Sequence, residues 1–260
     1  MNEGLRSSGR IDLSVTGERY RLYQEAPLYL NILKKKMIEA YPTDQGGGMR
    51  GGDCHAVSIS VSDKSGLLWS APASTLCFPS MYDDEPCALL TDIHLYDSGK
   101  LYYINKPVIP TKNARVNQTT IIDIDELSSL FFVDIFCSGR IAHEDERWGF
   151  SCFKNHFELC ASGETLYREN WELSASRIPS GSAEFNDLNI YATIIAKGIN
   201  PARLIERSLS MLKPDAISIA LGELSRECYI LKALYKTGIY IDKFMKEIYQ
   251  YIIAIESEEL

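Results

Sequence analysis

Ala56-Val57-Ser58-Ile59-Ser60-Val61 alternates apolar and small polar residues. A period of two marks a strand with one buried face, because successive side chains leave a strand on opposite sides. Asp63-Lys64-Ser65-Gly66 follows and reads as a turn. The pattern recurs on either side of this stretch. Residues 67–70, 88–95, 100–104 and 119–124 read as strands, and 129–138, 151–160, 165–173 and 188–196 continue the series. Asp97-Ser98-Gly99, Ser162-Gly163 and Pro179-Ser180-Gly181 separate them. Regular short strands with tight turns predict a mainly β fold. We expect a layered antiparallel or β-helix-like scaffold, not βαβ units.

Helix signals are confined to the last quarter. Asn200-Pro201 places a cap before a proline at the first helical position. Leu204, Ile205, Leu209 and Leu212 then repeat at helical spacing until Pro214. A last helix is expected over 241–255, where Ile241, Phe244, Met245, Ile248 and Ile252 share one face. Residues 217–221 and 229–235 read as two strands between these helices. The chain has no long linker, low-complexity tract or internal repeat, so a single domain over 1–260 is expected. The acidic run 256–259 is expected to fray.

Of the 260 residues, 45% are hydrophobic and 24% charged, the proportions of an ordinary globular protein with a sizeable core. A net charge of -8 and a pI near 5.1 argue against nucleic-acid binding, which needs a basic footprint. Lys34-Lys35-Lys36 is the one basic run and reads as a protected strand edge. The N-terminal residues lack the apolar core of a signal peptide, and no apolar run approaches the roughly 20 residues of a membrane span. The seven cysteines are scattered without metal-ribbon spacing. These features point to free thiols in the cytoplasm.

Catalytic motifs fail on their own terms. Gly46-Gly47-Gly48-Met49-Arg50-Gly51 matches G-x-G-x-x-G, but it leads into a strand, where a dinucleotide site needs a helix N-terminus. There is no P-loop, nucleophile elbow or H-E-x-x-H spacing. Asp53-Cys54-His55 lines up three metal-binding side chains. On a strand only two of them share a face, too few to complete a site, and Asp53 can equally serve to tie down the glycine loop. A second polar cluster runs from Ser138 to Arg147, with Asp134 just upstream. It is either a solvated turn or the lining of a polar passage in which Arg140 pairs a carboxylate.

At these residues the chain resembles the UreD/UreH family of urease accessory proteins. Gly47-Gly48-Met49-Arg50-Gly51-Gly52-Asp53 is similar to that family's Gly-Gly-hydrophobic-x-x-Gly-Asp signature. Residues 66–75, with Gly66-Leu67-Leu68-Trp69 and Thr75, resemble its Gly-Ala…Thr stretch, with Pro72 as a departure and no glutamine. Residues 101–110, ending Pro107-Val108-Ile109-Pro110, resemble its Pro-x-Ile-Pro segment. Asp134-Ile135-Phe136-Cys137-Ser138-Gly139-Arg140-Ile141-Ala142 is similar to its Glu-x-x-x-x-Gly-Arg-x-Ala segment, with aspartate in place of glutamate. Tyr191-Ala192-Thr193 matches a late Ala-Thr strand.

The resemblance implies a non-enzymatic scaffold that binds a helical UreF-like partner, recruits a UreG-like GTPase and docks on apo-urease. Nickel would be in transit and not tightly held, through an internal passage. Carboxylates suit such a role because they are weak, labile nickel ligands. The passage candidates are Asp53, Asp134 and either Asp145 or Glu146, with Arg140 organising them, and Gly47, Gly48, Gly51 and Gly52 form the loop motif. Two other readings stay open at this level. One is a β-rich hydrolase with an acidic pair. The other is a purely structural interaction protein.

Overall fold

The computed structural model describes residues 7–81, 84–143, 146–174, 188–198, 200–212, 216–225, 227–237 and 239–258. The chain opens with two antiparallel hairpins: β1 (Ser8–Thr16) with β2 (Arg19–Glu25), and β3 (Leu28–Lys34) with β4 (Ile38–Asp44). It then winds. β5 (Met49–Arg50), β6 (Cys54–Ser62) and β7 (Gly66–Ser70) make one circuit. β8 (Thr75–Phe78), β9 (Cys87–Leu95) and β10 (Lys100–Ile104) make the next. β11 (Val108–Pro110), β12 (Arg115–Ile124) and β13 (Ser129–Cys137) make a third, and β14 (Cys152–Ala161) starts another. β15 (Glu164–Ser174) turns back on β14 as a hairpin. β16 (Ile190–Lys197), helix α1 (Pro201–Leu212), β17 (Ala216–Ser225), β18 (Cys228–Tyr235) and helix α2 (Ile239–Glu258) complete the order.

The first sheet has the order β15-β14-β12-β9-β6-β1-β2, and the second runs β17-β18-β16-β13-β10-β7-β4-β3. β5, β8 and β11 form a short third side. The mainly β, layered reading holds. The pairing is mixed, however, and not antiparallel throughout. β1, β6, β9, β12 and β14 are mutually parallel, as are β4, β7, β10 and β13. Ser162-Gly163 reverses the chain within one sheet, between β14 and β15, but the two earlier turn signals do not. Asp63 and Lys64, then Asp97 and Ser98, adopt positive φ and carry it around a corner into the other sheet. The next strand of the same sheet arrives one circuit later, pointing the same way. Parallel pairing needs a long crossover, and here the opposite sheet supplies it. Cys54, Ala88, Asn117 and Lys154 stack as one rung. The steps between them differ in length, which leaves no fixed repeat in the sequence.

Inward residues of the first sheet, among them Ile11, Leu13, Ile59, Ile93 and Ile122, pack on Leu67, Trp69, Leu101 and Phe132 of the second. Trp69, Tyr103 and Phe132 stack in a ladder with centroids 5.8 and 5.1 Å apart. The far face of the second sheet is covered by α1 and α2, through Leu204, Ile205, Phe244, Ile248 and Ile252. A sheet buried on both faces needs apolar residues at consecutive positions, which accounts for Leu130-Phe131-Phe132-Val133.

The last helix does not fray where the acidic run begins. Glu256 accepts from Lys100 Nζ at 2.7 Å and from the Tyr102 hydroxyl at 2.5 Å, which ties the end of α2 to β10. Midway along α2, the Tyr249 hydroxyl meets Glu39 at 3.2 Å and Tyr41 at 2.9 Å. The lysine run lies where β3, an edge strand, turns into β4, and Lys35 pairs Glu39 at 2.9 Å. The turn expected at residues 179–181 lies outside the described residues.

Candidate functional site

The glycine loop is a corner of the scaffold. Asp44 accepts from the amides of Gly46 at 2.7 Å and Gly48 at 3.0 Å. Asp53 closes the other end, accepting from the Ser7 amide at 2.8 Å and the Arg50 amide at 2.7 Å. Gly48 has φ +123, and a Cβ there would meet the Leu76 carbonyl oxygen at 2.8 Å. Gly51 approaches the backbone of Glu85 and Ser80 too closely for any side chain. Both carboxylate oxygens of Asp53 are therefore occupied by the fold. His55, next along β6, is buried, and burial lowers its pKa against the charges of Asp44 and Asp53. Among the described residues, no group of three or more His, Cys, Asp or Glu side chains could hold a metal ion.

Asp134 occupies a different place. It is the one residue of β13 that is not fully buried. Its flanks, Val133 and Ile135, are sealed in the apolar layer beneath the helices. Asp134 faces the first sheet, where Gln118 Nε2 donates to its Oδ2 at 2.8 Å. Burial is the main cause that pushes its carboxyl up to about 6, and Glu169 adds to it, while the Gln118 hydrogen bond works the other way.

The two side chains line a cavity between the sheets with Asn155, Glu169, Tyr191 and Thr193. It has about 10 Å³ of space for a water-sized sphere, room for about one water or one small ion. Gln118, Asn155 and Trp171 also border a depression of about 500 Å³ on the outer face of the first sheet, where Asn117, Thr119, Lys154 and His156 alternate with them. The cavity shares Phe136, Trp171 and Tyr191 with an apolar pocket of about 220 Å³. At the rim, Glu169 accepts from the Tyr191 hydroxyl at 3.0 Å and is paired with Lys232.

The fold does not bring the sequence candidates together as one set. Asp53 lies at the glycine corner and Asp134 in the cavity. Arg140 pairs a carboxylate as expected, and that carboxylate is Glu146: Nε donates at 2.6 Å, and a second guanidinium nitrogen completes a two-point clasp across the loop from β13 to β14. Asp145 lies outside the described residues. Sequence reasoning missed Gln118, Asn155, Glu169, Tyr191, Thr193 and Lys232. A signal was available for some of them. Lys232 interrupts an apolar strand, Tyr229-Ile230-Leu231-Lys232-Ala233-Leu234, as Asp134 interrupts another. A charge in mid-strand among apolar neighbours is seldom buried without a partner.

The described residues form a mainly β scaffold that encloses a small carboxylate-lined cavity between its two large sheets. The sequence model of the UreD urease accessory protein family matches residues 7–257, and the chain belongs to that family. It is 27% identical over 124 residues to a urease accessory protein UreD of Haemophilus influenzae, covering 48% of this chain and 45% of the relative. To the UreD of Bacillus sp. it is 27% identical over 143 residues, 52% of each chain. To the UreD of Pseudomonas fluorescens it is 24% identical over 200 residues, covering 75% of this chain and 70% of the relative. The chain thus spans about half the length of the first two relatives and more of the third. Among the described residues, no helix is long and apolar enough to cross a membrane.

Proposed function

We propose that this protein is a non-catalytic scaffold for nickel insertion into apo-urease in the cytoplasm, working with a UreF-like accessory protein and a UreG-like GTPase. Nickel is its cargo and not a resident cofactor. The observation that carries the reading is Asp134, a carboxylate held in a cavity of about 10 Å³ between two sheets, beside Glu169 and the side-chain amides of Gln118 and Asn155. Oxygen ligands of this kind bind nickel weakly enough to release it, where a closed thiolate and imidazole site would retain it. The apolar pocket that shares Phe136, Trp171 and Tyr191 with the cavity supplies an approach to it.

The test is urease activation in cells that carry the urease gene set with this gene replaced by the Asp134→Asn form. Urease protein present at its usual level, but inactive and nickel-poor, supports the reading. Full activity with Asp134→Asn, and again with Glu169→Gln, supports a purely structural role instead.

A further inference from the structure

Asp134, Thr193 and Lys232 are neighbours on one rung of the second sheet, across β13, β16 and β18. Glu169, on β15 of the first sheet, closes the space opposite them. The Lys232 ammonium binds Glu169 Oε1 and the Tyr191 hydroxyl. It also lies 5.0 Å from the Tyr191 ring centroid and 5.3 Å from that of Tyr167. A carboxylate, a phenol oxygen and two ring faces are a shell built for a cation. The Lys232 and Glu169 side chains are 22% and 19% exposed, so the pair sits where the cavity meets solvent. Glu169 therefore has two possible counter-ions: the tethered ammonium, or a free cation that arrives through the cavity. Two cations held on one carboxylate repel each other at this distance, so the two compete for it.

We propose that Lys232 is a tethered cation gate: its ammonium holds the Glu169 end of the cavity, yields to a passing divalent ion, and on returning displaces that ion from Glu169 and Asp134. The inference rests on the nickel-transit reading above. The gate explains how two carboxylates around so small a space can pass an ion without becoming its resting site. When the ion is absent, the lysine neutralises Glu169. When the ion is present, the lysine swings out on its four-carbon stem, which the partial exposure of the pair allows.

The test uses the full-length chain and nickel chloride, with cobalt chloride as a spectroscopic probe. Lys232→Met keeps the apolar stem and removes the charge. It should bind one Ni²⁺ at least tenfold more tightly than the unaltered chain, by calorimetry, and give a cobalt d–d band. Adding Glu169→Gln should abolish both. Lys232→Arg, which keeps a cation, should stay as weak as the unaltered chain. If Lys232→Met does not fold, as judged by circular dichroism, Lys232→Gln is measured in its place. Nickel binding no tighter than in the unaltered chain, or tight binding that survives Glu169→Gln, overturns the gate. Failure of the transit reading is seen separately, as full urease activation in cells carrying Asp134→Asn.

Discussion

Gln118 reaches from the first sheet to Asp134 on the second and donates its side-chain amide at 2.8 Å, the hydrogen bond that spans the cavity. It joins two strands, β12 and β13, that are consecutive in the chain but lie in different sheets. Around it the apolar core is interrupted: the clusters above and below meet at a layer that also holds Asn155 and Thr193, both buried polar residues.

The cavity costs stability, and Asp134→Asn should reveal the cost. The Asp134 carboxyl lies at about 6 in the folded chain against an ordinary 3.8. The native state therefore disfavours the ionised form. The penalty is absent below the unfolded pKa, grows as pH rises from about 4, and is complete above about 6. In denaturant titrations at pH 8, Asp134→Asn should gain up to about 3 kcal/mol, with asparagine oxygen still accepting from Gln118. At pH 3.5 the gain should vanish. A variant less stable than the parent at both pH values would show that the carboxylate is needed for folding.

Nickel transfer should follow the same titration in reverse. The protonated carboxyl is a poor ligand. Activation assayed over pH 5 to 8 should fall as pH drops through about 6, the Asp134 value. In the residual activation that Asp134→Asn leaves, that limb should be missing. A profile identical in both would assign the fall to another group.

Asp53 should behave as a structural residue. Asp53→Ala strands the amides of Ser7 and Arg50 and should cost roughly 1–3 kcal/mol. Asp53→Asn keeps an acceptor and should lose less. For both, urease activation per folded molecule should match the parent. Loss of activation by Asp53→Asn at full stability would return Asp53 to the passage.

Gly51→Ala tests the corner. The added methyl has no space against the Glu85 carbonyl and the Ser80 backbone. Backbone must shift, at about 2–4 kcal/mol. A melting temperature within 2 °C of the parent, an order-of-magnitude bound from the usual relation of stability to melting point, would contradict this packing.

The C-terminal helix should loosen in acid. Glu39 is buried, yet hydrogen bonds from Tyr41, Lys35 and Tyr249 outweigh desolvation and hold its carboxyl below the usual 4.5. A depressed acid stabilises the fold above its unfolded pKa, and that contribution is lost as pH falls through the folded value. Hydrogen-exchange protection of the α2 amides, relative to the intrinsic rate at each pH, should fall below about pH 4.5 in the parent. Tyr249→Phe should cost about 1 kcal/mol at neutral pH and flatten the dependence. An α2 whose exchange is indifferent to both changes would be held by its apolar face alone.

Local order was legible from residue pattern, because it depends on near neighbours. Alternation along β6 and the corner residues Asp63 and Asp97 set strand and turn. The spacing of Ile241, Phe244, Ile248 and Ile252 set the last helix and its buried face. The first two hairpins went unread: β2 is almost wholly exposed and lacks alternation between core and solvent. Only the tertiary structure decided which strands pair, since the partner of Cys54 is Ala88, one circuit away, and no local signal encodes that distance. It alone also separated Asp53 from Asp134. In the sequence one aspartate stands just before a strand and the other inside one. One spends its oxygens on backbone amides at a corner, and the other is left facing a cavity, with its charge exposed to whatever enters.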